Sequence, residues 1–232
     1  MFFAESSVSV GAVRESSITW PARSAEMAPR LILPTGIVAF AALNDPDVDA
    51  LLAAQATHPR VRGIRHIVNW HADPQRTYGP VDLTVDPQWQ AGYALLAKYG
   101  LSFDLQCYPG QMQGLVPLIE RHPDIPVIGF PKGAGEKLPA YARETGVQAV
   151  GVDETLDPQW VARELPAGMP VQGNFDPLLL LSGSDRLESR ARFILEAFAD
   201  RPHIFNLGHG IDRRTPIAHV ERLIETVRSF EG

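Results

Sequence analysis

The stretch VDPQWQAGYALLAKYGLSFDLQCY, residues 85–108, contains the signals for one helix followed by one strand. Asp86 and Pro87 predict a helix start, because an aspartate caps exposed backbone N–H groups and a proline fits the first helical turn. Gly100 predicts the end of that helix. The apolar run that follows predicts a buried strand that ends in polar residues. The stretch therefore predicts one helix–strand unit of an α/β protein.

The same alternation continues along the chain from Thr35 onward. Asp45 and Asp157, each followed by proline, predict two further helix starts. Seven short apolar runs predict strands of a kind buried on both faces. They are residues 36–43, 61–69, 101–108, 126–130, 149–153, 170–175 and 203–208. Repeated strand–helix units imply right-handed crossovers and a parallel sheet.

Seven units and one further strand in the N-terminal leader predict a (βα)8 TIM-type barrel. Residues 1–30 have no sustained hydrophobic period, and SVSVGAV and SSITW are their candidate strands. A disordered leader is the equal alternative. An open doubly wound sheet is disfavoured, because no glycine-rich dinucleotide loop follows the first strand. Seven strands alone leave unpaired edges, so a partner-supplied strand and a homodimer are also expected.

The length of the chain fits a single barrel domain, which we place at residues 31–232, and we expect it to bind a small-molecule substrate. The 232 residues are 45% hydrophobic and carry a net charge of −6, which argues against nucleic acid or an anionic membrane as the partner. No apolar run approaches the ~20 residues that span a bilayer. The lone Cys107 excludes an internal disulfide, and MFFAESSVSV lacks the basic start of a signal peptide. These features predict a cytoplasmic protein.

Polar residues follow most of the predicted strands, where barrel enzymes place their active sites. Asp153, Glu154 and His209 are the candidate catalytic residues. The candidate substrate-binding residues share this position at the barrel mouth and are Asn69, Gln106, Tyr108, Lys132, Asn174 and Asn206.

In HIFNLGHGI, residues 203–211, Gly208 and Gly210 flank His209 and leave its imidazole accessible. Together with His71 and Asp153, His209 predicts a site for a divalent metal, zinc or manganese. Metal-bound water with a pKa near ~7 would then serve as the nucleophile. The chain has no HxH or HExxH motif, and capping is the competing role for Asp153.

Strand alternation also predicts a buried ion pair. A charged Arg65 or Asp104 in mid-strand fits the barrel interior better than the helix-facing side. Since their strands are adjacent, we expect Arg65 and Asp104 to pair.

Residues 31–125 resemble the amidohydrolase-related, metal-dependent barrel hydrolases. The resemblance rests on LNDPDVDALLAAQATHPRVRGIRHIVNWHADP and TVDPQWQAGYALLAKYGLSFDLQCYPGQM. It implies a barrel with a metal site at its mouth. The family's initial HxH is absent, and Gly110 stands where many relatives carry a histidine.

Residues 126–232 resemble uroporphyrinogen decarboxylase in PVIGFPKGAG, YARETGVQAVGVDETL, PVQGNFDPLLLL and HIFNLGHGI. The resemblance implies that the Gly-His-Gly closes the last barrel strand beside a porphyrin pocket. The family's arginine-rich N-terminal motif and its early-strand aspartate are absent. The two resemblances together predict a chimeric barrel joined near Pro126.

Three functions follow from these features. The first is a metal-dependent hydrolase of an activated ester, lactone or phosphotriester. The second is a recombined or engineered barrel scaffold without selected activity. The third is a decarboxylase-like pocket for a tetrapyrrole or another polycarboxylate, built from Lys132, Asn206 and His209. The converging polar strand ends favour the hydrolase.

Overall fold

The computed structural model describes residues 8–9 and 36–230, which form one eight-stranded sheet whose strands follow each other in chain order. Its strands are β1 (Val8–Ser9), β2 (Gly36–Phe40), β3 (Val61–Arg65), β4 (Ser102–Leu105), β5 (Val127–Gly129), β6 (Ala149–Gly151), β7 (Val171–Phe175) and β8 (His203–Leu207). Strands β2 to β8 are parallel. This arrangement confirms an α/β fold with seven parallel strands, and β1 approaches β8 as in a TIM-like barrel.

Helices connect the parallel strands. They are α1 (Val48–Ala56), α2 (Pro87–Tyr99), α3 (Pro109–Arg121), α4 (Leu138–Glu144), α5 (Pro158–Glu164), α6 (Pro177–Ser182), α7 (Arg186–Ala197) and α8 (Ile217–Arg228). Among the described helices the longest have 13 residues, and none has the length and apolar content needed to cross a bilayer.

The predicted eighth βα unit is not confirmed. Strand β1 lies in the predicted SVSVGAV segment, but it runs antiparallel to β2 and pairs through two residues. Most of the leader, including SSITW, lies outside the described residues. The observed repeat therefore consists of seven parallel strands with one short antiparallel strand at the edge.

Local capping explains where two of the helices begin. Asp86 accepts a hydrogen bond from the Gln88 N–H at 2.9 Å, and Asp157 accepts one from the Trp160 N–H at 2.9 Å. Gly100 ends α2 in the left-handed conformation, with φ of 60°. These three predicted signals are confirmed, because each depends only on residues within one turn.

The prediction for Asp45 is wrong. The helix begins at Val48, with Asp47 in the capping position. Asp45 instead accepts a hydrogen bond from the Asp47 N–H at 2.8 Å, in a turn that precedes the helix. Residues 46 and 47 form a turn, so the Asp45 bond closes that turn and the first helical residue comes later, at Val48.

An aromatic cluster fills the space between α2 and β4. Trp89 stacks on Tyr93 at 5.7 Å between ring centroids, and Phe103 meets both rings edge-on. All three side chains are buried. His66 Nδ1 accepts hydrogen bonds from Trp89 Nε1 at 3.1 Å and from the Leu43 N–H at 3.2 Å. These bonds fix α2 against the chain segments that follow β2 and β3.

Candidate functional site

The carboxyl ends of the seven parallel strands share one edge of the sheet, which forms the mouth of the barrel. Every candidate site residue lies on the strands or loops at this edge. Two of them, Asn174 and Asn206, are themselves strand residues and are register partners in β7 and β8.

Asp153 is buried, and protein donors occupy both of its carboxylate oxygens. Oδ2 accepts from the Gly133 N–H at 2.7 Å, and Oδ1 accepts from the Thr155 N–H at 2.9 Å and from the Thr155 hydroxyl. Burial alone raises the pKa of Asp153, but these hydrogen bonds and the nearby Lys132 charge hold it below its ordinary value. The geometry therefore favours an anchor that ties the loop after β5 to the end of β6.

Asn174 is directed at the loop after β6. Its Nδ2 donates to the Asp153 carbonyl at 3.0 Å and to the Leu156 carbonyl at 2.8 Å. Asn206 Oδ1 accepts from the Leu207 N–H at 2.9 Å. Both side chains thus bond to the backbone that frames the mouth, a role that the sequence prediction of substrate contacts did not anticipate.

His209 is exposed on a turn held close to β6 and β7. The Gly208 N–H donates to the Phe175 carbonyl at 2.8 Å. A Cβ at Gly208 would lie 2.2 Å from the Glu154 backbone nitrogen, so this position requires glycine for the close approach. The close packing of Gly208 against Glu154 therefore fixes the backbone of the turn that carries the exposed His209.

The predicted metal site is wrong. Within residues 36–230, no group of three or more His, Cys, Asp and Glu side chains is arranged to hold a metal ion. His71 lies in the loop after β3, where its Nδ1 accepts from the Asp73 N–H at 2.9 Å and its ring meets Tyr108 edge-on. Because protein donors also occupy both oxygens of Asp153, the residues His71, Asp153 and His209 do not assemble into a site for zinc or manganese.

The predicted ion pair between Arg65 and Asp104 is present in the barrel interior. The two residues are register partners in β3 and β4, and Arg65 Nη2 lies 2.8 Å from Asp104 Oδ2. Burial raises the pKa of Asp104, while Arg65 and Gln172 oppose that shift. Gln172, on β7, was missed by the sequence analysis, although strand alternation places it on the same face as Asn174. Gln106 lines the small cavity beside this pair.

A separate cleft of about 410 Å³ lies between the loop after β3 and the start of α3. Gln111, which the sequence analysis did not single out, holds its two walls together. Its Nε2 donates to the Val68 carbonyl at 2.8 Å and to Asp82 Oδ1 at 2.7 Å. Its Oε1 accepts from the N–H groups of Trp70 and Tyr108, both at 3.0 Å. One buried amide therefore makes four hydrogen bonds across the cleft.

Gln111→Ala is expected to lower the free energy of unfolding by about 2–4 kcal/mol, because it leaves buried backbone groups without their partners. Urea denaturation measures the loss. Gln113→Ala, at an exposed position of the same helix, is the matched control and is expected to change stability by less than ~0.5 kcal/mol. Equal losses in the two variants would contradict the role assigned to Gln111.

Comparison with known proteins extends the sequence resemblance. The family model of uroporphyrinogen decarboxylase matches residues 104–230, which is more than half of the chain. A uroporphyrinogen decarboxylase from Novosphingobium aromaticivorans is 71% identical over 111 residues, covering 48% of this chain and 33% of the relative. The chain thus spans about a third of the length of the curated relatives it matches.

One solved structure shows a related fold, and a second aligns more weakly. A methyltransferase from Methanosarcina mazei aligns with a TM-score of 0.57 at 15% identity, over 80% of this chain and 64% of that one. An amidohydrolase from Burkholderia multivorans aligns with a TM-score of 0.39 at 20% identity, over 83% of this chain and 66% of that one.

These findings overturn the metal-dependent hydrolase as the main functional prediction. The high identity lies with decarboxylases, and the residues predicted to bind a metal do not converge. The resemblance of residues 126–232 to the decarboxylase, and the pocket it implies, is the better supported alternative. The match at residues 104–230 shows that the chain belongs to the uroporphyrinogen decarboxylase family.

Proposed function

We propose that this chain binds a tetrapyrrole polycarboxylate at the barrel mouth and acts there in decarboxylation. The observation that carries the proposal is the exposed His209, held on the Gly208 turn within the segment that matches the decarboxylase family. An exposed imidazole suits both carboxylate binding, through its ring N–H groups, and proton transfer.

Two exposed cationic side chains follow β5 and β8. Lys132 is exposed after β5, close enough to Asp153 for its charge to lower the pKa of that carboxyl. Arg213 is exposed four residues beyond His209. A ligand with several carboxylates gains from such donors despite the net charge of −6, because local charge at the mouth governs the contact.

His209 is the group we assign to the chemical step. Loss of carbon dioxide leaves a carbanion that must be protonated, and an imidazolium beside that carbon supplies the proton. Asn206 and Lys132 are assigned to binding. Since the chain spans about a third of the length of its relatives, tetrapyrrole binding is tested by itself, without decarboxylation as the readout.

Uroporphyrin, titrated into the protein and followed by its visible absorbance, tests binding. His209→Ala is expected to weaken binding by ~10-fold or more, or about 1.4 kcal/mol. His58→Ala removes an exposed histidine between α1 and β3 and is expected to bind like the parent protein. An absorbance that does not change on titration, or equal affinity in the parent and His209→Ala proteins, would refute the proposed pocket.

The domain organisation of the chain combines segments that resemble two families. We propose one barrel domain over residues 31–232, with residues 31–125 of amidohydrolase type, residues 126–232 of decarboxylase type and self-association into a homodimer. The pairing of β4 with β5 joins the two segments in one sheet and supports the single domain. The family match begins at residue 104, ahead of the proposed junction. Sedimentation measurements test the dimer.

A further inference from the structure

The cleft between the loop after β3 and the start of α3 is not used by the tetrapyrrole pocket proposed above. Trp70 and Tyr108 contribute half-buried aromatic rings to it, and His71 meets Tyr108 edge-on at 6.0 Å between ring centroids. Planar aromatic walls of this kind favour a planar aromatic ligand, since ring stacking and edge contacts add to apolar burial.

Two hydrogen-bond donors also line the cleft. His71 Nδ1 accepts from the Asp73 N–H at 2.9 Å, so the proton of the neutral imidazole is on Nε2. Arg76 is exposed, and within residues 36–230 no salt bridge engages its guanidinium. A guanidinium with this freedom offers two parallel N–H groups to a carboxylate.

Among the described residues that line the cleft, Asp82 is the acidic one and opposes an anion by its charge. Its Oδ1 already accepts three hydrogen bonds, from the Thr84 N–H, the Thr84 hydroxyl and Gln111 Nε2. These donors occupy Oδ1, and the positive charge of Arg76 at the same cleft opposes the negative charge of Asp82.

Hydrogen bonds fix the walls before any ligand binds. The Tyr108 hydroxyl donates to the Arg76 carbonyl, and the His71 N–H donates to Thr77 Oγ1 at 3.2 Å. Gln111 joins the loop to α3 through its four hydrogen bonds. A site that is already formed loses little conformational entropy on binding.

We propose that this cleft is a second ligand site, selective for a small aromatic carboxylate whose ring lies between Trp70 and Tyr108 and whose carboxylate bonds to Arg76 and His71. The volume of about 410 Å³ accommodates one or two fused rings. The residues that line the cleft do not include His209, Lys132 or Asn206.

Calorimetric titration with 2-naphthoate tests this site. Arg76→Gln is expected to weaken binding by ~10-fold or more, while Arg143→Gln, an exposed arginine on α4, leaves it unchanged. The neutral analogue 2-naphthylmethanol is expected to bind the parent protein at least ~10-fold more weakly than the acid.

Two glycines of α3 provide a matched pair of blocking variants. A Cβ at Gly110 or at Gly114 meets nothing within 4 Å, so a side chain can start at either position without a clash at its first atom. Of the two, Gly110 lines the cleft and Gly114 does not. Gly110→Leu is therefore expected to abolish 2-naphthoate binding, and Gly114→Leu to retain it.

Three results would overturn the proposal. They are no binding of 2-naphthoate at ~5 mM, unchanged binding in Gly110→Leu, and tighter binding of 2-naphthylmethylamine than of the acid. His209→Ala separates this site from the tetrapyrrole pocket, because it is expected to bind 2-naphthoate like the parent protein. Loss of uroporphyrin binding with retained naphthoate binding would support both proposals.

Discussion

Gly92→Ala is expected to lower the free energy of unfolding by more than ~3 kcal/mol. Gly92 lies in the middle of α2, where a Cβ would be 1.9 Å from the Leu43 carbonyl oxygen and 2.8 Å from its carbonyl carbon. Both atoms belong to the backbone, so the clash with the added Cβ can be removed only if α2 moves away from the segment after β2. That movement would also disturb the packing of Trp89 and its hydrogen bond to His66.

Gly114→Ala is the matched control for this substitution. Gly114 lies inside α3, and an added Cβ there meets nothing within 4 Å. Alanine is the better helix former by about 0.8–1 kcal/mol, so this variant is expected to gain stability by up to that amount. Urea denaturation measures the change in the free energy of unfolding for both variants, which is expected to be a loss for Gly92→Ala and a gain for Gly114→Ala. Stabilisation by both substitutions would show that α2 does not need its close contact with Leu43.

Arg65→Met is expected to lower the free energy of unfolding by about 3–5 kcal/mol, because it leaves the buried Asp104 carboxylate without its cation. The parent pair is 2.8 Å apart, with side chains 25% and 5% exposed for Arg65 and Asp104. Arg163→Met is the control, since it breaks an exposed pair with Glu164 and is expected to cost less than ~1 kcal/mol.

The loss in Arg65→Met is expected to depend on pH. Burial raises the folded-state pKa of Asp104 above the ordinary aspartate value of 3.8, so the folded protein binds this proton more tightly than the unfolded chain. The contribution of Asp104 to stability therefore falls as the pH rises from 3.8 through the raised pKa. Removal of Arg65 raises that pKa further, so the cost of Arg65→Met becomes smaller in acid.

A second substitution tests the cause of this loss. Asp104→Asn in the Arg65→Met background removes the unpaired charge and is expected to recover at least ~2 kcal/mol at neutral pH. The double variant is also expected to lose the pH dependence. A single variant whose stability does not change with pH, or a double variant without recovery, would show that the cost arises from packing of the arginine side chain.

Local sequence determined where α2 and α5 begin and where the strands lie. Asp86 and Asp157 cap their helices through side chains that reach two or three residues ahead, and Gly100 ends α2 through its own backbone conformation. Strand alternation also gave the Arg65–Asp104 pair, because two neighbouring parallel strands fix which residues face each other. These features can be predicted from the sequence because they depend on residues that are close along the chain or on adjacent strands.

Tertiary structure alone decided the use of the polar residues at the mouth. Asp153 accepts from Gly133, twenty residues earlier, and Gln111 bonds to Val68, 43 residues earlier. Buried backbone groups in these loops must be paired, and the side chain that folding brings nearby becomes their partner. Spacing along the chain does not show which side chain folding will bring near a given backbone group. For this reason the predicted metal ligands did not converge. Gly208 shows the same dependence, because its contact with Glu154 exists only once β6 and β8 are in place.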